Sequence, residues 1–296
     1  MVVTRPMKLR VPPPFDLPAT LESGQAHRWQ REGQWYWGVV RGNVIKVRQD
    51  PFGLEVYSAP EPPEQLVEML SSYFRLDDDL TAIYQEINRD PRIAAMIDKY
   101  PGLRLLRQEP WECLVAFICS ATSNIPRIAS NMESIAEAFG EPVTLDGHTR
   151  YTFPPAQLVA AAGEQALRDL GLGFRAKYLA HAAIQVAEGV LDLEELRRTP
   201  YWDAKARLTE LPGIGAKIAD CVLVFSLDKL EAFPIDRWVS RAMQEWYLNG
   251  KKMSYLETVE WAHGYFGRYA GYAQQYLFHG GRLAKVGRVG TEQAAD

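Results

Sequence analysis

Around residue 60 the apolar residues of this chain change their spacing, and that change divides the fold into two unlike parts. Before it, "WYWGVV" (35–40) and "VIKVR" (44–48) are short runs rich in aromatic and β-branched residues. "RGN" joins them as a hairpin-type turn, and "LEVYS" (54–58) follows the turn "DPFG". These runs predict an antiparallel sheet ending near Ser58. From Glu61 the period becomes helical. "EPPEQLVEMLSSYF" opens with prolines and carries Leu66, Met69, Leu70 and Tyr73 at helical spacing. Trp111, Leu114, Val115 and Ile118 form one stripe, and Ile128, Met132, Ile135 and Phe139 form another that ends at Gly140. Further helices are predicted at about 155–162, 174–188, 201–211, 216–227 and 236–247. The expected class is α+β. An N-terminal antiparallel β-sheet domain with connecting helices occupies residues 1–110, and a large all-α domain occupies 111–296.

Several classes of function are disfavoured by composition. The three cysteines, Cys113, Cys119 and Cys221, are odd in number and unpaired in spacing, which argues against a disulfide framework or a zinc site. No apolar run suits a signal peptide or a membrane span, so a cytoplasmic location and no membrane partner are expected. The net charge of −4 gives no general basic surface for nucleic acid. A local one is still open: "HGGRLAKVGRVG" (279–290) holds three basic residues and no acidic one, and reads equally as a solvated tail.

Within the helical part, "YWDAKARLTELPGIGAKIAD" (201–220) carries the chemistry. It predicts a helix stopped by Pro212, a tight turn through Gly213 and Gly215, and a second helix beginning near Ala216. The free backbone N–H groups of that second helix suit a phosphate. Such a helix-hairpin-helix holds a DNA backbone without reading its sequence. Lys217 falls in the first helical turn, where the positive end of the helix dipole disfavours an ammonium. Position alone leaves two readings: a nucleophilic amine able to form a Schiff base, or a lysine that pairs with phosphate. Asp236, in "FPIDRWVSRAM", reads as a helix N-cap. A carboxylate held that way could also stabilise a developing sugar cation and handle protons.

An "LPGxGxK" hairpin with an aspartate 19 residues after the lysine resembles the helix-hairpin-helix DNA glycosylase superfamily. The segments "YFRLDDDLTAIY", "GLRLLRQEPWECLVAFICSATSNIPRI", "LGLGFRAKYL", "YAGYAQQYLF" and "SGQAHRW" narrow the likeness to the 8-oxoguanine DNA glycosylase family, over roughly residues 12–285. The resemblance implies a bifunctional DNA glycosylase/AP lyase. Lys217 would attack C1′ of the damaged nucleoside, and Asp236 would be the essential aspartate. Cys221 and Phe278 would sandwich the flipped base. Gly24 would accept a hydrogen bond from N7–H, a hydrogen that 8-oxoguanine has and guanine lacks, and Gln274 would read the Watson–Crick edge. Arg127 and Arg175 would hold the orphaned cytosine. Thr122, Asn124 and Phe174 fall in the region that plugs the duplex, and Gly213 and Gly215 in the phosphate hairpin.

The chain departs from the family pattern at Thr122, Phe174, Trp238 and Gly281. Among these, Thr122 stands where an asparagine plug is usual, and Trp238 where a histidine is. The implied partner is double-stranded DNA containing 8-oxoguanine, met by a monomer. No metal or other cofactor is expected for the chemistry, though a monovalent cation could sit at the hairpin. Two alternatives remain at this level: an endonuclease III-like glycosylase for another lesion, and a non-catalytic DNA-binding module. Many enzymes of the first kind bind an iron–sulfur cluster through four closely spaced cysteines, which this chain lacks.

Overall fold

A computed structural model describes residues 5–292, with side chains through Gly281. The basic residues beyond Gly281 lie outside the described side chains.

The N-terminal part holds β1 (Met7–Leu9), helix α1 (Leu17–Leu21), β2 (Gln30–Glu32), β3 (Trp35–Val40), β4 (Asn43–Asp50) and β5 (Gly53–Ala59). They form one antiparallel sheet in the order β1-β5-β4-β3-β2. Arg41 and Gly42 both have positive φ, so a two-residue turn closes β3 onto β4 and pairs Val40 with Asn43. The three inner strands match the sequence expectation. The edge strands β1 and β2 do not appear in it. "MKL" and "QRE" are too short and too polar to signal strands, and they form only because a partner edge is present.

A 3-10 turn (Pro63–Leu66) leads into α2 (Val67–Tyr73), α3 (Leu80–Ile87), α4 (Pro91–Lys99), α5 (Pro110–Cys119) and α6 (Ile125–Phe139). An unexpected hairpin follows, β6 (Pro142–Leu145) and β7 (His148–Tyr151). Then come α7 (Ala156–Asp169), α8 (Arg175–Ala187), α9 (Leu193–Arg198), α10 (Tyr201–Thr209), α11 (Ala216–Ser226), α12 (Arg237–Trp246), α13 (Tyr255–Phe266) and α14 (Ala270–Glu292). The helix expected over 155–162 is present and ends at Gly163, whose φ of 75° kinks the chain before α7 runs on to Asp169.

One sheet face packs Tyr36, Ile45, Val47, Leu54 and Val56 against Leu70 and Phe74. The other face receives the β6–β7 hairpin. There Leu145 joins Trp37, Val39 and Val44, His148 stacks on Trp37 at 4.3 Å, and Lys46 pairs with Asp146 at 2.8 Å. This is how the helical part grips the sheet. At its centre lies α11, buried on every side from Ile218 to Ser226. It packs against α5 and α10, which fixes the direction of its exposed N-terminus.

Candidate active site

Helix α10 ends at Thr209, and the chain turns through Leu211–Gly215 into α11. Ile214 is buried and plugs the turn, while Pro212, Gly213 and Gly215 face solvent. The two glycines have different reasons to be there. Gly213 has φ +83°, and a Cβ on it would lie 2.7 Å from the Cδ atoms of Tyr178. Gly215 is the N-cap of α11, with an extended φ of −88°. A Cβ at Gly215 would meet no atom within 4 Å. Of the two, only Gly213 has a positive φ. Among the described residues no contact requires glycine at 215, which leaves the approach to the first N–H groups of α11 open from outside.

Lys217 is the second residue of α11. Its Nζ donates to Ser120 Oγ at 3.3 Å and lies 5.3 Å from the Phe117 ring centroid. It opens on a cavity of about 590 Å³. Asp236 lines the same cavity, as do Gly24, Cys221, Gln274 and Phe278. Six residues spread over more than 250 positions of sequence thus meet at one hollow of the size that small ligands occupy.

Each is held there by identifiable contacts. Asp236 caps α12, accepting from Trp238 N at 2.9 Å and Val239 N at 2.8 Å. Burial raises its carboxyl above the usual range, opposed by the Val239 N–H, the Lys217 charge and the Trp238 N–H. Gly24, with φ +79°, sits in a turn clamped by its neighbours. Gln275 Nε2 donates to Ser23 O at 3.0 Å, Gln25 Nε2 to Arg104 O at 2.8 Å, and Gln108 Nε2 to Gln25 O at 2.7 Å. Gln274 is buried at 4% exposure, and its Oε1 has no hydrogen-bond partner. A helix-surface glutamine would be solvated, so this one faces the cavity with an unmet acceptor. Burial pushes the Cys221 thiol up to about 11, with Lys217 opposing. The cysteine is therefore a neutral, apolar wall rather than a nucleophile.

Asp220 is a residue that the sequence reading passed over. It is fully buried and accepts from Tyr201 Oη at 2.8 Å, Lys205 Nζ at 2.8 Å and Tyr255 Oη at 2.6 Å. Tyr255 Oη in turn accepts from Ile235 N at 3.3 Å. Asp220 thereby ties the Lys217 helix to the loop that presents Asp236. The signal was available: one charge in the middle of an otherwise apolar helix has to be paired.

Thr122 and Asn124 stand just before α6, Arg127 in its first turn, and Phe174 and Arg175 at the start of α8. Phe174 is 48% exposed, as an inserting side chain requires. Thr122 is exposed with φ +50°, a strained value for a β-branched residue. Asn124 lines the cavity, but its side chain caps α6 by accepting from Arg127 N at 3.0 Å. That bond commits it as a cap, so it does not stand free as a plug. The two arginines are also not an equivalent pair. Arg127 is exposed and donates to Gly171 O at 2.8 Å. Arg175 is buried, with its guanidinium spent on Ala121 O at 2.6 and 2.8 Å and Thr122 O at 2.9 Å.

Known proteins resemble this arrangement along most of the chain. Residues 8–114 match the 8-oxoguanine DNA glycosylase N-terminal domain, and residues 115–262 match the HhH-GPD superfamily of base excision DNA repair proteins. A probable N-glycosylase/DNA lyase of Methanothermobacter thermautotrophicus is 31% identical, over 90% of this chain and 94% of that protein. The N-glycosylase/DNA lyase OGG1 of Arabidopsis thaliana is 30% identical, over 88% of this chain and 76% of that protein. Among solved structures, the Clostridium acetobutylicum 8-oxoguanine glycosylase/lyase in complex with DNA containing cytosine opposite 8-oxoguanine superposes with a TM-score of 0.87 at 32% identity. It covers 92% of this chain and 93% of its own.

Proposed function

The chain belongs to the 8-oxoguanine DNA glycosylase family of the HhH-GPD superfamily, and from that premise we propose that it excises 8-oxoguanine from duplex DNA and nicks the strand behind it. The observation that carries this reading is the meeting of Lys217 and Asp236 at the cavity that Cys221 and Phe278 also line. The flipped base enters between those two side chains. Lys217 gives up a proton, and its amine nitrogen forms a bond to C1′. The C1′–N9 bond breaks, and the base leaves with a proton. The adduct opens to an imine, loss of a C2′ proton breaks the C3′–O bond, and water then frees the lysine. Asp236, held rigid by two N–H groups, stabilises the cationic sugar during the first displacement. Gly24 O and Gln274 read the base. The turn around Gly215 holds a backbone phosphate.

The turn "LPGIG" carries no carboxylate. A monovalent cation there would rest on backbone carbonyls, and no step of the proposed chemistry calls on it. Every residue given a role above lies on one chain, and a monomer is taken as the working unit. Its place in the cell is with the DNA, in a nucleoid or a nucleus.

Lys217→Gln tests the reading. The variant is expected to bind a duplex with 8-oxoguanine opposite cytosine. It should neither release the base, nick the strand nor be trapped on DNA by borohydride. Trapping that persists in the variant would move the nucleophile to another amine. Wild-type protein that binds but neither releases the base nor traps would make the chain a DNA-binding module.

A further inference from the structure

His27 lines the base cavity, yet neither the hairpin nor the proposed chemistry gives it work. It is 9% exposed, and both its ring nitrogens lack a hydrogen-bond partner. Its ring meets the edge of Phe117 at 5.9 Å between centroids, so an apolar side chain of that size would pack in its place at no polar cost. A buried imidazole with nothing to bond is costly, and the usual account of such a group is a ligand or a water. Burial, and after it the nearby Lys217 charge, pull its pKa down to about 4. The ring is therefore neutral at physiological pH, with one nitrogen donating and the other accepting.

The same ring borders a second cavity of about 20 Å³, together with Arg28, Glu109 and Glu112. That volume suits a single water. Arg28 Nη1 has no hydrogen-bond partner and stands 3.6 Å from Glu112 Oε1, beyond hydrogen-bond reach. One water in this space would accept from Arg28 and from a His27 N–H and donate to Glu112. It would fix the tautomer from behind and leave the other ring nitrogen bare.

We propose that His27 is a specificity-determining residue, whose bare ring nitrogen accepts a hydrogen bond from the flipped purine. The water in the small cavity holds its other nitrogen. This rests on the substrate reading given above and adds to it: recognition then draws on a side chain of the N-terminal part besides the Gly24 carbonyl, and a damaged purine is favoured over an empty abasic site.

Affinity for two duplexes tests it, one carrying a non-excisable 2′-fluoro analogue of 8-oxoguanine and the other a tetrahydrofuran abasic analogue. His27→Phe should weaken binding to the lesion duplex by about tenfold, the worth of one hydrogen bond, and leave the abasic duplex unchanged. His27→Asn restores a side-chain acceptor and should regain part of the loss. Equal weakening on both duplexes, or a wild-type preference that His27→Phe retains, overturns the inference alone. Wild-type protein with no preference for the lesion duplex overturns the substrate reading, and the inference with it.

Discussion

The two hairpin glycines should respond in opposite ways to one added methyl group. At Gly213 an alanine must adopt φ near +83°, which costs about 1–2 kcal/mol for an L-residue. Its Cβ would also press on the Tyr178 ring, and moving a packed aromatic adds about 1–3 kcal/mol. Gly213→Ala should therefore lose about 2–5 kcal/mol, or roughly 3–8 °C in Tm for a chain of this size. At Gly215 the backbone is already extended, and the space around a Cβ is empty. Gly215→Ala should change stability by less than about 1 kcal/mol, the difference between glycine and alanine as N-caps. A methyl group there would hold a phosphate away from the first N–H groups of α11. Loss of one such charge-assisted bond weakens duplex binding about tenfold or more. Thermal unfolding and fluorescence anisotropy on an undamaged duplex measure the two quantities separately. A Gly215→Ala protein that is stable and binds normally refutes the phosphate role of the turn. A Gly213→Ala protein with unchanged Tm refutes the account of the Tyr178 contact.

Asp236→Asn should keep α12 capped, since asparagine caps as well as aspartate; Tm stays within a few degrees while single-turnover base excision falls by orders of magnitude. Arg127→Ala should leave stability almost unchanged and reduce the preference for cytosine opposite the lesion, read from excision rates against all four bases. Arg175→Ala should instead cost about 1–3 kcal/mol in denaturant unfolding, because its guanidinium holds the Ala121–Thr122 backbone. Burial lifts the Glu112 carboxyl to about 7 from its ordinary 4.5, with Arg28 opposing. The folded state therefore holds that proton more tightly, and the contribution of Glu112 to stability rises as pH falls from about 7 to 4.5. His27 acts in the opposite sense. Its pKa is near 4 when folded against 6.5 when free, so it costs stability as pH falls through that window. Unfolding free energies across this range, wild type minus Glu112→Gln and wild type minus His27→Phe, should slope with opposite signs.

How far the sequence exposes this molecule depends on whether a residue's reason is local. The strands from Trp35 to Ser58 and the hairpin turn at Arg41–Gly42 are legible because side-chain shape and turn geometry act over a few residues. The same holds for Asp236 as an N-cap. The β6–β7 hairpin was missed because "PVTL" and "HTRY" are ordinary segments. What makes them strands is the sheet face that receives Leu145 and His148. Asp220 was missed for a related reason: its partners lie on α10 and α13, and only folding shows that one carboxylate joins the lysine helix to the aspartate loop. The likeness to a family pointed to the cavity residues, yet it could not show that Asn124 is engaged as a cap or that Arg175 is buried on backbone carbonyls.

The residues that matter most are those whose features the isolated chain leaves unused. Gly215 lacks a side chain where the protein has room for one. Gln274 and His27 bury polar atoms without partners. Phe174 exposes an aromatic ring, and Thr122 holds a backbone angle that its side chain resists. Taken singly, each is a small free-energy cost. Their shared location makes a common cause the simplest account: Gln274 and His27 line one cavity, Gly215 lies two residues before Lys217, and Thr122 stands two residues before the cavity residue Asn124. On the proposed function, a DNA duplex with one base flipped out would meet every one of them, offering a phosphate to the turn, a purine edge to the buried acceptors, and a gap in the base stack to the exposed ring.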